Sequence, residues 1–428
     1  MTLALGIDFG TSGVRAVVIN SQLEIVAEAD LSFPANINST DLSRLPLVWQ
    51  QSLFAVLEKI SKLIRQQVTR IAIDGTSSTV MLCDRQGSIL GIPLLYNDDR
   101  AQELVKQISL KAPANHLVIS ATSSLSKLLW LHANYGNSPD YYLLHQADWL
   151  GFLLHQQLGL SDYHNALKLG YDVVNLRYPQ WLLDYLAELK FTGHLPQVLA
   201  PGQVVGNICQ EVLDRFHLPP ECQVCAGTTD SIAAFLASGA KTPGEAVTSL
   251  GSTLVIKLLS TNFVEDVGYG IYSHRLGDLW LVGGASNTGG AVLRHYFSDR
   301  ELTLLSQEIN PGIPSQLDYY PLLKPGDRFP TNDPQLLPRI SPIPAQQAEF
   351  LHGLLESMAC IEAQGYQLLR ELGATPVHQI YTAGGGAHNP TWTAIRHRRL
   401  QVPVTKSRHT AAAYGTAKLA LESFSTKP

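Results

Sequence analysis

No apolar run in this chain approaches the ~18 residues that a membrane-spanning helix needs. Met1 leads directly into a strand-like segment, without a charged n-region, an apolar h-region or an Arg/Ser-rich presequence, so a cytoplasmic protein without a membrane partner is expected. Cysteine is scarce, and the odd number of five argues against a disulfide framework. Cys222 and Cys225 form a lone CxxC in ECQVCAGTTD. It lacks both a second ligand pair for zinc and a following helix start for redox chemistry, so a buried strand is the expected role and a redox or zinc site the remaining alternative. Positive charge is also short: 31 Lys+Arg stand against 36 Asp+Glu, a net charge of −5, and the longest basic cluster is IRHRRL at 395–400. Nucleic acid is therefore not an expected partner. Neither GxGxxG nor GxxxxGK[ST] occurs, which removes the Rossmann and P-loop readings.

What is present is a chain of 428 residues, enough for two or three domains at ~150 residues each. LALGIDF, VRAVVIN and EIVAEADLSF read as successive strands, LVWQQSLFAVLEKISKLI as an amphipathic helix, and RIAID and VMLCD as further strands, with DRQG as a turn. Residues 123–159 are rich in helix signals, and the Pro and Gly residues from LPQVLAPGQVVGNI to VCAGTTD mark a domain junction. From residue 244 the pattern restarts. EAVTSLGSTLVIKLL again gives strand, tight turn, strand, so that Gly10-Thr11-Ser12 is echoed by Gly251-Ser252-Thr253. Asp8 has Ser249 as its counterpart, and only the first hairpin carries an acid. Two such units would set two cradles across a cleft, where a small-molecule site is expected.

Small residues between strands expose backbone N–H groups and hydroxyls, and such concavities bind anions without a cationic side chain. A carboxylate beside them, Asp8, repels phosphate directly but can hold Mg²⁺ and its waters. Taken singly, the hairpin is equally an ordinary tight turn. Asp230 in GTTDSIAAFLASGA lies where a loop becomes an alanine-rich helix, and it reads either as an N-cap or as a general base that takes the proton of an attacking hydroxyl. Three glycines in TAGGGAHNPTW let a flat ring approach the backbone, with Asn389 placed to hydrogen-bond the ring edge; ASNTGGAVL is a second such turn before a helix. For both, a plain glycine-rich loop is the alternative.

Taken in order, DFGTSGVRAVV, IDGTSSTVMLCD, YNDDRA, SKLLW, GTTDSIAA, SLGSTL, SNTGGAVL, TAGGGAHNP and AAAYGTAKLAL resemble the motifs of the FGGY-type carbohydrate kinases, within the actin/hexokinase/heat-shock ATPase superfamily. The resemblance spans nearly the whole chain. It implies an α/β protein of two ribonuclease-H-like domains, with mixed sheets flanked by helices around a central cleft. The expected division is a sugar-binding domain at 1–226 and an ATP-binding domain at 227–428, with the last helix, about 409–422, able to pack back on the first domain. Carried over residue by residue, Asp8 resembles the metal-linked acid and Asp230 the catalytic base. Gly10, Thr11 and Ser12 resemble one phosphate hairpin and Gly251, Ser252 and Thr253 the other, while Gly289, Gly290, Gly385, Gly386 and Asn389 resemble the adenosine pocket.

The segment DGTSSTV, residues 74–80, is closer to the DATCSL pattern of the ribulokinase-like branch than to the GQMHG-like pattern of xylulose and gluconate members, and YNDDRA resembles WMDHRA. Ser77, Ser78, Asp98 and Arg100, with Asp8 and Asp230, would then contact the sugar, and Tyr96 would be a stacking wall. For Asp98 and Arg100 a surface ion pair is the alternative. The resemblance implies an ATP- and Mg²⁺-dependent kinase acting on the terminal hydroxyl of a ketopentose, D-ribulose first and D-xylulose next, working as a monomer or homodimer. A chain shorter than most of the family makes sugar-independent ATP hydrolysis an expected side reaction. An ATP-binding sensor or ATPase of the same superfamily is the rival from another class.

Overall fold

The computed structural model describes residues 2–35, 37, 41–136 and 140–422. The chain forms two compact units, Met1–Ala237 with Ala411–Pro428, and Ser238–Thr410. The division thus falls after Ala237 and not at the 226/227 junction suggested by the Pro and Gly punctuation. The strand and helix that follow residue 226 are held inside the first unit by the pairing and packing described below, and the chain returns to that unit for its last helix, Ala412–Leu421.

In the first unit, β1 (Leu3–Phe9), β2 (Gly13–Ile19) and β3 (Ile25–Ser32) form the expected antiparallel meander, and β4 (Val68–Gly75) pairs in parallel with β1. A small sheet of β5 (Val80–Cys83), β6 (Ile89–Leu94) and β7 (Tyr142–His145) follows, then the pair β8 (Leu160–Asp162) and β9 (Gln197–Leu199). The strands β10 (Val204–Asn207), β11 (Gln223–Cys225) and β12 (Thr228–Thr229) complete the main sheet, whose order is β10-β11-β4-β1-β2-β3, with β12 also pairing β4.

The segment read as a single helix over LVWQQSLFAVLEKISKLI is two, Leu45–Lys59 and Lys62–Arg65. The break has a cause in Arg65. Its buried guanidinium donates to the carbonyls of Leu57, Glu58 and Ile60, satisfying the end of the first helix, and to that of Phe216. Cys222 and Cys225 lie at β11 as expected, free and buried, and burial pushes their thiols up to about 12 and about 11, which keeps them inert.

Strand alternation gives the two faces of the main sheet different chemistry. Leu3, Leu5, Ile7, Phe9, Ile71 and Ile73 meet Trp49, Leu53, Val56 and Trp149 in a bulky core. Ala4, Ala72 and Cys225 instead meet Ala413, Tyr414, Ala417 and Ala420 of the last helix. Gly6 lies on this second face, where a Cβ would overlap the backbone of Ala413 and Ala417. On the helix's other side a Cβ at Gly415 would overlap the backbone of Ala233, in the helix Asp230–Ala237. The small-residue pattern of AAAYGTAKLAL is thus the means by which the helix approaches sheet and neighbour at backbone distance.

The second unit holds one sheet of β13 (Glu245–Leu250), β14 (Leu254–Ser260), β15 (Tyr272–Leu276), β16 (Leu279–Ser286), β17 (Gln379–Ala383) and β18 (Val404–Lys406), in the order β15-β16-β14-β13-β17-β18. The path β16-β14-β13-β17-β18 repeats β3-β2-β1-β4-β11, with two antiparallel and then two parallel pairings. Both units therefore have the ribonuclease-H-like arrangement. Behind the second sheet, the helix Gln347–Glu371 brings Glu362 to Arg396 of the helix Pro390–Leu400, both fully buried and joined at 2.6 and 2.7 Å. Thr248 of β13 and Thr382 of β17 hydrogen-bond the pair, tying the central strands to both helices. No helix among the described residues is long and apolar enough to cross a membrane.

Removing one member of a buried pair strands the other charge, so Arg396→Met should destabilise the second unit by about 3–5 kcal/mol. Urea unfolding of the variant measures this, and a loss below about 1 kcal/mol, the range of an exposed pair, would contradict it.

Candidate active site

The parallel register of β1 and β4 sets Asp8 opposite Asp74, one residue before the carboxyl end of each strand. Both side chains lie on the small-residue face, and Thr416 of the last helix donates its hydroxyl to Oδ2 of Asp74. Asp74 is wholly buried. Burial first, and then the negative charge of Asp8, push its carboxyl well above the usual carboxylate range. Asp8 is half-buried; burial raises it too, while the neighbouring Asp74 side chain and the positive charge of Arg15, its partner on β2, pull it back. The two carboxyls titrate as a coupled pair, with Asp74 held further above the usual range than Asp8. Asp74 stood in the quoted segment DGTSSTV but was not singled out. Its signal was an acid near the end of a second strand, and only the parallel register shows that it meets Asp8.

Asp230 comes from the next strand. Thr228 of β12 pairs with Asp74 and Thr229 with Gly75, so Asp230 enters the helix Asp230–Ala237 directly beyond the acid pair. Its charge reaches Asp74. Oδ1 accepts the N–H of the adjacent Ser231 at 2.6 Å. The three acids Asp8, Asp74 and Asp230 thus stand at the carboxyl ends of three neighbouring strands, where open α/β sheets bind their ligands. The segment Asp162–Ala166, which the sequence reading passed over, holds β12 in place. His164 Nδ1 lies 2.7 Å from Thr228 Oγ1, Asn165 Nδ2 donates to the Thr228 carbonyl at 3.3 Å, and Asp162 accepts two backbone N–H groups and the Asn165 amide.

Among the residues expected to face a sugar, Ser78 has a left-handed backbone, φ 62°, and its buried Oγ has no hydrogen-bond partner. Ser77 is half-buried beside it. Their loop is fixed by Gln146, which accepts from Thr76 N and donates its own backbone N–H to the Thr79 carbonyl. Arg100 holds Asp98 bidentately, Nε on Oδ1 and Nη2 on Oδ2, both at 2.8 Å, and the guanidinium lies over Trp130 at 5.0 Å, so these two groups are engaged with each other as the ion-pair alternative had it. Tyr96 is 46 % exposed, with its ring open to a ligand.

The two hairpins keep their small, open tips. Gly10 N donates to the Gly13 carbonyl, and Thr11 and Ser12 are exposed; Gly251 N donates to the Thr253 carbonyl, and Ser252 and Thr253 are exposed. A Cβ at Gly10 or Gly251 would meet nothing nearer than 3.7 Å, and at Gly385 nothing within 4 Å, so space for a phosphate or a flat ring lies against the backbone there. Ser249 and Ala383 occupy the register positions that Asp8 and Asp74 hold in the first unit, leaving the second cradle without either acid.

In that second unit, Gly290 N and Ala291 N donate to the carbonyls of Gly251 and Ser252, locking the SNTGG turn onto the hairpin. Gly289, at φ 143°, has no room for a Cβ against the Thr253 backbone. Gly384 and Gly386 abut Leu250 in the same way. Arg294, absent from the sequence reading, donates to Ser252 Oγ at 3.0 Å and adds a cation to the hairpin. Asn389 caps the helix Pro390–Leu400 through Trp392 N and donates to Ser306 Oγ at 2.8 Å, which commits its side chain to the loop. Among the described residues no cluster of three or more His, Cys, Asp or Glu side chains is built to hold a metal ion.

Paired ribonuclease-H-like units, each with a glycine and hydroxyl hairpin and one with strand-end acids, define a phosphotransferase of the actin/hexokinase type. The N-terminal domain of the FGGY family of carbohydrate kinases matches residues 3–237 and its C-terminal domain residues 246–423, and the chain belongs to that family. It is similar to the xylulose kinase of Staphylococcus xylosus, 21 % identical over 442 residues, covering 98 % of this chain and 90 % of the relative. It is also similar to the gluconokinase of Bacillus subtilis, 21 % identical over 424 residues, covering 91 % and 81 %. Among solved structures, the xylulose kinase of Rhodospirillum rubrum shares the fold at a TM-score of 0.83 and 20 % identity, covering 98 % of this chain and 89 % of that one.

Because the folded state raises the Asp74 carboxyl, the unfolded chain ionises it first as pH rises. The stability it contributes is full below about pH 4 and is lost as pH climbs toward the folded-state value. Asn cannot ionise, yet it keeps a donor toward Asp8 and an oxygen for Thr416. Thermal melts from about pH 5 to 8 should therefore show wild type losing stability relative to Asp74→Asn as pH rises; parallel pH slopes would contradict a protonated Asp74.

Proposed function

We propose that this sugar kinase transfers the γ-phosphoryl group of ATP to the terminal primary hydroxyl of a ketopentose. The observation that carries the reading is the asymmetry of the duplicated sheet, with acids at three strand ends in the first unit and an acid-free, glycine-lined cradle joined by Arg294 in the second. An acid-bearing unit suits a hydroxyl that must lose a proton, and an acid-free one suits the polyanionic donor. D-Ribulose is the first candidate, because DGTSSTV and YNDDRA resemble the ribulokinase-like branch. D-Xylulose is the second, favoured by relatives named xylulose kinase.

The residues fit Mg-ATP. Open space beside Gly251 and Gly385 accommodates phosphate and ring, with Arg294 and the Ser252 and Thr253 hydroxyls as donors; Gly289, Gly290, Gly386 and the helix capped by Asn389 shape the adenosine wall. Asp8, the less raised carboxyl of its pair, would hold Mg²⁺ through water. Bound Mg-ATP supplies the transferable phosphoryl group and neutralises part of its charge. Asp230 takes the proton from the sugar's terminal hydroxyl as that oxygen attacks. Gly10, Thr11 and Ser12 offer N–H and hydroxyl donors to charge on the moving group. Ser77, Ser78 and Tyr96 orient the sugar, and Asp98 and Arg100 shape the same wall as a locked pair. ATP turnover indifferent to every sugar would instead indicate the ATPase of the same superfamily.

An ADP-release assay across D-ribulose, D-xylulose, other ketopentoses, pentitols, glycerol, gluconate and hexoses identifies the acceptor. With that acceptor, Asp230→Asn should lower kcat by about 10²–10⁴-fold while nucleotide affinity stays within about threefold of wild type. Full activity in the variant would remove Asp230 as the base.

A further inference from the structure

Lys127 of the helix Ser124–Tyr135 is a basic residue with no exposure to solvent at all. Its Nζ donates to the carbonyls of Ser78 at 2.8 Å, Leu95 at 2.6 Å and Tyr96 at 3.2 Å. Three acceptors match the three N–H groups of an ammonium, whereas a neutral amine has only two to give. Burial pushes the group down to about 7, against which the negative charge of Asp98 pulls it up, while the positive charge of Lys168 pulls it further down. Enclosing a cation in the interior is a cost that ordinary loop packing does not require.

What the cation joins explains its presence. Ser78 lies in the turn beyond β4, and Leu95 and Tyr96 in the loop beyond β6, segments from two different sheets. Ser78 is held at φ 62°, a left-handed conformation that strains a non-glycine residue. Its hydroxyl, 1 % exposed, has no partner. A strained residue with an unsatisfied buried hydroxyl, fixed through its own carbonyl by a buried cation, is a group kept ready for a ligand. One turn along the helix, Trp130 lies beneath Arg100, so the same helix face also supports the Asp98–Arg100 pair.

We propose that Lys127 is the positioning residue of the acceptor-sugar site: its ammonium binds the Ser78 turn to the Tyr96 loop and so presents the Ser78 hydroxyl and the Tyr96 ring to the sugar as one preformed wall. The proposal rests on the reading of the Ser77–Arg100 segments as the sugar side of a ketopentose kinase. It assigns Lys127 no contact with the sugar, the nucleotide or the transferred group. Loss of the tether frees two loops that must then be ordered by the sugar itself, so the sugar bears the cost and the nucleotide does not.

The test is steady-state kinetics of Lys127→Met and Lys127→Arg with the acceptor found for wild type. Methionine keeps the length and volume but has no donor; arginine keeps the charge but presents a planar fork that cannot meet three divergent carbonyls. Lys127→Met should raise the sugar KM by about tenfold or more, with the KM for ATP and sugar-independent ATP hydrolysis within about twofold of wild type. Lys127→Arg should raise the sugar KM by about threefold or more with the same selectivity, and it decides the matter alone if the methionine variant does not fold. An unchanged sugar KM, or sugar and nucleotide parameters falling together, overturns the proposal. Wild-type enzyme that phosphorylates no ketopentose overturns the functional reading beneath it, an outcome seen before either variant is made.

Discussion

The candidate site depends on one carboxyl group being forced out of water beside another. Asp8 and Asp74 are neighbours because β1 and β4 are parallel and in register, and Asp74 is buried because the last helix covers that face of the sheet. Burial and the charge of its neighbour both work against ionisation of Asp74, which holds its carboxyl well above the usual range. The helix reaches them only because alanine and glycine face one another at Gly6, Ala413, Gly415 and Ala233. Larger side chains would hold it away, let water reach Asp74, and remove the Thr416 hydrogen bond. The chemistry of the acids is therefore set by residues whose contribution is to be small.

The duplication shows the same constraint from the other side. Both sheets have the same strand order and the same hairpin, yet Ser249 and Ala383 replace the acid pair. The polar investment of the second unit lies elsewhere, in the Glu362–Arg396 pair that binds β13 and β17 to two helices. One copy of the architecture raises its strand-end carboxyls; the other has a glycine-lined hairpin without acids, joined by Arg294. A kinase needs both properties, and a single cradle cannot offer acid and polyanion binding on the same residues without repulsion.

Much of this was legible in the chain. Short apolar runs bounded by turn residues marked the strands, the small hydroxyl and glycine tips the hairpins, and the echo at SLGSTL the duplication. The division between units was misplaced because Pro and Gly punctuation marks where a chain turns, whereas β12 and the helix that follows belong to the first unit through pairing with β4 and packing on the last helix. Asn389 was read as a ligand group because an amide after a glycine run could serve either purpose; its geometry is that of a cap. Asp74 and Lys127 stand inside quoted motifs, DGTSSTV and SKLLW, and Arg294 directly after SNTGGAVL, but none was singled out because the groups they meet lie far away in the chain.

By itself the sequence determined what short-range physics controls: which segments are strands, where they turn, which turns carry acids, and that the pattern occurs twice. Only the tertiary structure decided which of those groups meet. The Thr416–Asp74 hydrogen bond joins positions 342 residues apart, and Lys127 joins Ser78 across 49. Contacts at such separations are selected by how sheet, helix and loop pack, and it is that packing, by excluding water, that holds an ordinary aspartate well above the usual carboxylate range and fixes an ordinary lysine against three carbonyls.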